Sequence, residues 1–209
     1  MEILFLIGIL IFSVVIHEVS HGVVANALGD PTAKQAGRLT LNPIPHIDPI
    51  GSIALPFMLA LFSRIAGGGI IFGWAKPVPV NPDNLRNQKY GPSLVSIAGP
   101  AANLAVALVF GLTLRFLPIY QFSESLAFIF SAICYLNILL ATFNLLPLPP
   151  LDGSHVLFSF LPRNLDSVRI FLLQYGFVIL LFFILFFSDI FSPFIHGLYR
   201  LIVGSPLFL

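Results

Sequence analysis

His17-Glu18-Val19-Ser20-His21 sets two imidazoles four residues apart with a carboxylate beside the first. On a helix, residues i and i+4 share a face, so both rings can reach one ion while Glu18 stands next to it. Zinc takes two such histidines and a third ligand, and a hydrolytic site keeps one position open for water. The ion lowers the pKa of water towards about 7, and a neighbouring carboxylate accepts the proton. The chemistry these residue types suggest is metal-assisted hydrolysis, with His17 and His21 as ligands and Glu18 as the base.

The surroundings sharpen this reading. Ile3–Ile16 carries no charge and reaches spanning length only by continuing through the motif to about Leu28, since a crossing needs ~20 apolar residues. Each charged side chain in a membrane helix costs ~2.5–3.5 kcal/mol on insertion scales. Three ionisable groups within five residues of such a helix therefore call for a shared partner. The plainer alternatives are a polar packing cluster or a proton path. A cleaved signal peptide is disfavoured, because Met1-Glu2 has no positive charge.

A third ligand should be acidic or a histidine. Asp152 closes the run Asn144-Leu-Leu-Pro147-Leu-Pro149-Pro150-Leu151-Asp152-Gly153. Its three prolines break the helix and free backbone carbonyls. A broken helix at membrane depth is tolerated only against protein or a wet cavity, which a site admitting water and substrate needs. Gly153 would allow close approach of the chain to the metal, and Asn144 could hold a substrate carbonyl or orient a ligand. Asp152 would also serve as an ordinary helix N-cap. His155, Asp48 and His46 are its rivals as ligand.

Composition fixes the solvent. Hydrophobic residues make up 57% of the 209 and charged residues 9%, against ~25% charged in soluble domains, so lipid must cover much of the surface. The net charge of +1 offers no basic patch for nucleic acid. The single cysteine, Cys134, lies in an apolar run and reads as packing. Leu94–Leu114, Leu126–Leu151 and Ile170–Ser188 are uncharged and long enough to span. Ile50–Ser63 is shorter, and the tail after Ser188 is broken by prolines and Arg200, suiting a short span or an interfacial helix. The expectation is an all-α multi-pass membrane protein with about four to six membrane helices. It would form one domain over residues 1–209, with a core at 3–153 and C-terminal helices at 166–209.

Taken together, HExxH in the first membrane helix and Asn-Leu-Leu-Pro-x-Pro-Pro-Leu-Asp-Gly much later resemble the site-2 protease family of intramembrane zinc metalloproteases. Gly37-Arg38-Leu39-Thr40-Leu41-Asn42-Pro43, His46-Ile47-Asp48-Pro49, Gly73 to Pro82 and Gly99-Pro100-Ala101-Ala102-Asn103 are similar to its short prokaryotic branch, which lacks PDZ and CBS domains. The resemblance implies one zinc per chain held by His17, His21 and Asp152, with Glu18 as base. It also implies that Asn144 and Asn103 lie near the site, where they could position substrate.

If the three ligands share an ion, they share a depth and a side. His17 lies ~21 Å along the helix from Ile3 at 1.5 Å per residue, past the middle and towards the side where Gly29 emerges. Leu94–Leu114 crosses once and Leu126–Leu151 crosses back. The chain between Gly29 and Tyr90 must then begin and end on one side, so 50–72 should re-enter or form a hairpin. That arrangement puts Lys34, Arg38, Arg64, Lys76, Arg86, Lys89, Arg163 and Arg169 together, with Arg115 opposite. The positive-inside rule makes their side cytoplasmic.

Two segments read more softly. Lys76-Pro77-Val78-Pro79-Val80-Asn81-Pro82 cannot be helix. It suits an extended or β edge that could pair with an unwound substrate, or else a rigid surface loop. Asn103 lies among small residues, for which helix packing is the plainer reading. The function expected is hydrolysis of a peptide bond within or next to a membrane segment of another protein, in the cell membrane, with the active site towards the cytoplasmic leaflet. The rival readings are a proton or metal transporter and a silent member that only binds membrane segments.

Overall fold

The computed structural model describes residues 2–54, 58, 73–117, 123–187 and 190–204. In chain order its helices are α1 (Glu2–Ala27), α2 (Thr32–Gln35), α3 (Gly91–Phe116), α4 (Glu124–Asn144), α5 (Asp152–Phe160), α6 (Asp166–Phe187) and α7 (Phe191–Val203), with short helical turns between them. No strand occurs among the described residues. Helices α1, α3, α4 and α6 are each long and apolar enough to cross a membrane. The protein is therefore an all-α multi-pass membrane protein.

Local sequence sets the helix ends. Ser123 caps α4 by accepting the Leu126 N–H at 3.2 Å, and Glu124 in the first turn suits the positive end of the helix dipole. Pro92 stands in the first turn of α3, where its missing N–H costs nothing. Gly204 closes α7 in the left-handed conformation at φ 80°.

Helix α3 lies between α1 and α4. It runs antiparallel to α1, with Ala25 packed near Val95 at one end and Ser13 bonded to Asn103 further along. On its other side Ala107, Leu114, Cys134, Ile138, Tyr199 and Ile202 form the main apolar core with α4 and α7. Cys134 is buried and free, a packing residue as its apolar context suggests. Helix α6 is the least covered of the four long helices, and Phe171, Phe177, Phe182 and Phe186 on it are exposed.

Helix α7 of the C-terminal tail packs one face on the bundle. His196 lies beside Tyr135, with ring centroids 5.6 Å apart. One turn later Tyr199 shares a 2.7 Å hydrogen bond with Ser131. Arg115, in the last turn of α3, then donates to Leu201 O at 2.8 Å. Helix α7 thus runs antiparallel to α4, with Ile195, Tyr199, Ile202 and Val203 buried against the bundle and its other face exposed, and ends beside the end of α3. Residues 188–189 and 205–209 lie outside the described residues.

The two ends of the 30–90 connection meet. Arg86 N–H donates to Leu28 O at 2.9 Å, and Asn84 Nδ2 donates to Asp30 Oδ1 at 3.0 Å. The chain leaves α1 and enters α3 on the same side, as a shared site at His17 and Asp152 demands. Of the expected re-entrant stretch at 50–72, only 50–54 belongs to the described residues with residue 58 further on, and Pro49–Ala54 is a short helical turn. The remainder of that expectation lies outside the described residues. Segment 73–81 is non-helical, as its prolines require, but it joins no β ladder among the described residues. Pro77 and Pro79 have no N–H to give to one.

Close packing gives a test of this core. A Cβ on Gly111 would stand 2.5 Å from Ile202 Cγ2 and 2.9 Å from Cys134 Sγ. Gly111→Leu is expected to cost ~1–3 kcal/mol by overpacking, read as a lower midpoint of unfolding in detergent.

Candidate metal centre

Asn103 and Asn137 explain how His17 is held in an apolar helix. Asn103 is fully buried on α3 and donates to Asn137 Oδ1 at 2.7 Å and to Ser13 O at 3.3 Å. Both N–H groups are thereby committed, so its Oδ1 faces His17 Nδ1 at 2.5 Å and must accept from it. Asn137 is also fully buried and donates in turn to Ser13 Oγ at 2.9 Å and Ile133 O at 2.8 Å. Every member of this chain is satisfied, which makes a buried polar network rigid rather than costly. His21 is fixed more simply, its Nδ1–H donating to Val95 O at 2.7 Å.

These bonds decide the tautomers. With both Nδ1 atoms protonated, each Nε2 presents a lone pair. Asp152 Oδ2 lies 3.0 Å from His17 Nε2 and 3.3 Å from His21 Nε2. The ligand atoms of His17, His21 and Asp152 all lie within 4.8 Å of one another. Three lone pairs converging this closely repel unless a cation sits among them. A tetrahedral ion with ~2.1 Å bonds would space its ligands by ~3.4 Å, so the residues fit zinc in number, type and spacing. The hydrogen bonds at the two Nδ1 atoms are the outer contacts that orient imidazole ligands.

A cleft of about 390 Å³ opens on this cluster, lined among others by Glu18, Val78, Asn144 and His155. Glu18 Oε2 accepts the Val78 N–H at 2.8 Å, which ties the middle of segment 73–81 to the HExxH helix. Asn144 reaches the cleft from the last residue of α4 and donates back to Leu140 O at 2.9 Å. Asn103 differs from the expectation of a substrate contact. It stands behind His17 and does not line the cleft.

The rival ligands are accounted for. His155 lines the cleft but lies outside the three-atom cluster. Burial pushes its imidazole below the ordinary value, against the pull of Asp152. His46 Nε2 bonds Thr40 O at 3.0 Å, and Asp48 Oδ1 accepts the N–H groups of Ile50 and Gly51 at 3.0 and 2.6 Å. Both belong to the turn chemistry that their proline-rich context implies.

Sequence reasoning missed Ser13 and Asn137, and it read Gly99 as helix packing without placing it against the histidines. Ser13 precedes His17 by four residues, the helical spacing that would have exposed it, and Asn137 is a lone amide in an apolar run. A Cβ on Gly99 would stand 2.5 Å from His21 Nε2 and 2.6 Å from His17 Nε2, so glycine here lets α3 lie flat against both rings. Gly153 has a different duty from the one expected. A Cβ there would run into the carbonyls of Leu145 and Leu146, so it packs the start of α5 against the loop rather than against a metal.

The family model described as Peptidase family M50 matches residues 121–183. "Putative zinc metalloprotease YwhC" of Bacillus subtilis is 40% identical over 183 residues, covering 85% of this chain and 78% of that protein. "Putative zinc metalloprotease Rip2" of Mycolicibacterium smegmatis is 36% identical over 174 residues, covering 81% of this chain and 62% of its own length. The Rip2 protein of Mycobacterium tuberculosis is 34% identical over 144 residues, and the chain spans about half of it, 51%. No solved structure matches the chain.

The outer contacts predict a graded loss of metal. Asn103→Ala should weaken zinc binding by ~10–100-fold, measured by competition with a chromogenic chelator. Unchanged affinity would mean that the Asn103 bond does not orient His17.

Proposed function

The chain belongs to peptidase family M50, the site-2 protease family of zinc metalloproteases, and from that premise we propose that it hydrolyses a peptide bond within or next to a transmembrane segment of another membrane protein. The observation that carries this reading is depth. His17, Glu18 and His21 lie inside the candidate span Phe5–Ala27. His17 is ~15 Å from its nearer end at 1.5 Å per residue. A hydrolytic centre there meets substrates that are themselves in the bilayer.

His17, His21 and Asp152 would hold the zinc, one ion per chain. When bound, the ion supplies Lewis-acid polarisation of a carbonyl and brings water within reach of deprotonation near neutral pH. Glu18 takes the proton of the attacking water and passes it to the leaving amine nitrogen. Its bond to the Val78 N–H leaves its other oxygen for that exchange. Asn144, at the cleft wall, is placed to hydrogen-bond a substrate peptide group. Segment 76–81 would serve as the edge for an unwound substrate, since a helix hides its peptide bonds and an extended chain offers them for pairing.

Charge supports an orientation. Lys34, Arg38, Lys76, Arg86 and Lys89 belong to the connection that leaves and returns on the cleft side, while Arg115 and Arg200 belong to the far ends of α3 and α7. The positive-inside rule then puts the cleft towards the cytoplasmic leaflet of the cell membrane. A transporter reading is less well supported, because the polar chain running through Ser13 and Asn137 is closed by mutual hydrogen bonds rather than open to water.

The test uses purified protein in liposomes with single-span fusion substrates. Wild type should carry about one zinc and cleave. Glu18→Gln should keep the zinc and lose ~10²–10⁴-fold in rate. His17→Ala should lose the metal, and Asp152→Ala should bind it weakly. A folded wild type without zinc, or Glu18→Gln cleaving at the wild-type rate, would remove the reading. A reporter fused after Tyr90 should read cytoplasmic, and a non-cytoplasmic signal would overturn the orientation.

A further inference from the structure

We propose that Asp30 is a positioning residue of the cleft: it fixes the register of segment 76–81 along α1, so that the one donor in Pro77-Val78-Pro79 meets Glu18. The inference rests on the proteolytic reading for its kinetic consequence and on contacts alone for its structural part.

Asp30 is rigidly joined to the HExxH helix. Its N–H donates to Ala25 O at 2.9 Å across the last turn of α1. Gly29 before it turns the chain at φ 109°, a conformation that favours glycine. The Asp30 side chain is fully buried. Its Oδ1 accepts from the Thr32 N–H at 3.1 Å, from the Thr32 hydroxyl and from Asn84 Nδ2 at 3.0 Å. Its Oδ2 accepts the Asn81 N–H at 2.7 Å. Burial alone would raise the carboxyl, yet these donors hold it below the usual carboxylate value. A local turn would account for the Thr32 contacts. It does not account for Asn81 and Asn84, more than fifty residues further along the chain.

Those distant contacts matter because the segment has almost no freedom in register. Proline has no N–H, so in Pro77-Val78-Pro79 only Val78 can donate to Glu18. A slip of one residue in either direction would bring a proline opposite the carboxylate and leave Glu18 without that donor. The segment is pinned on both sides of Val78. Upstream, the Arg38 guanidinium donates to Lys76 O at 2.7 Å and Pro77 O at 3.3 Å, and Lys76 N–H donates to His46 O at 2.9 Å. Downstream, the pin is Asp30 on Asn81, ~10 Å from Val78 at ~3.3 Å per extended residue. Asp30 is the one of these anchors whose backbone continues directly from the last turn of the HExxH helix, so it refers the segment to the residues it must meet.

The experiment compares wild type, Asp30→Asn and Asp30→Ala as zinc-loaded full-length protein in detergent micelles. Amide hydrogen exchange over segment 74–84 is read by mass spectrometry, and kcat and KM are read on the single-span fusion. Asp30→Ala should exchange faster across this segment, keep wild-type zinc content and lose kcat by as much as ~10²-fold. Asp30→Asn keeps one acceptor oxygen and should fall between the two. Unchanged exchange in Asp30→Ala, or kcat and KM at wild-type values in zinc-loaded protein, would overturn the proposal, because a residue that only stabilises the fold alters the yield of folded enzyme and not its constants. If Asp30→Ala does not fold, Asn84→Ala removes one donor at an exposed position and is read by the same two outcomes. Should wild type cleave nothing, the proteolytic reading fails while the exchange measurement still decides the register.

Discussion

A lone pair inside a membrane helix has to be given something to bind. That requirement organises this molecule. Two imidazole nitrogens and a carboxylate oxygen meet within 4.8 Å in a region where an unpaired charge would cost several kcal/mol. The contacts around them serve either to bring those three atoms together or to ensure that each presents a lone pair. The Asn103–Asn137–Ser13 chain does the latter for His17, and a single main-chain carbonyl at Val95 does it for His21.

Close approach of backbone is the second condition. Helix α3 can press on α1 at the rings only because residue 99 has no side chain, and Pro100 beside it removes one hydrogen bond from the helix ladder. The loop 145–151 brings Asp152 to the same point, with Gly153 resting on the carbonyls of Leu145 and Leu146. These are backbone solutions to a positioning problem. Three spanning helices supply the rigid frame, and the small residues set how near that frame comes to the ion.

The base is organised by a different device. Glu18 is not held by another side chain but by the main chain of a segment whose prolines leave it a single nearby donor. The same prolines exclude that segment from helix and from a ladder of its own. A stretch that looks in sequence like a mere helix breaker is thus the piece that faces the cleft, fastened to α1, to Arg38 and to His46 by separate contacts.

The sequence by itself determined the chemistry and the solvent. HExxH on a helix places two rings on one face whatever surrounds it, and 9% charge in a chain of 209 residues leaves lipid as the medium. With Asp152 taken as the third ligand, it also required the chain from Gly29 to Tyr90 to return to its starting side, where Arg86 meets Leu28 and Asn84 meets Asp30. Tertiary structure decided among the partners that residue type and spacing left open. The motif around Asp152 implied it as the third ligand by resemblance, while spacing alone left His155, His46 and Asp48 as rivals, because the choice depends on how α5 docks against α3. Asn103 sits behind a ring rather than at the cleft, and α7 buries one face against α3 and α4, for the same reason. Spacing along a helix fixes which residues share a face, while only packing fixes what that face meets.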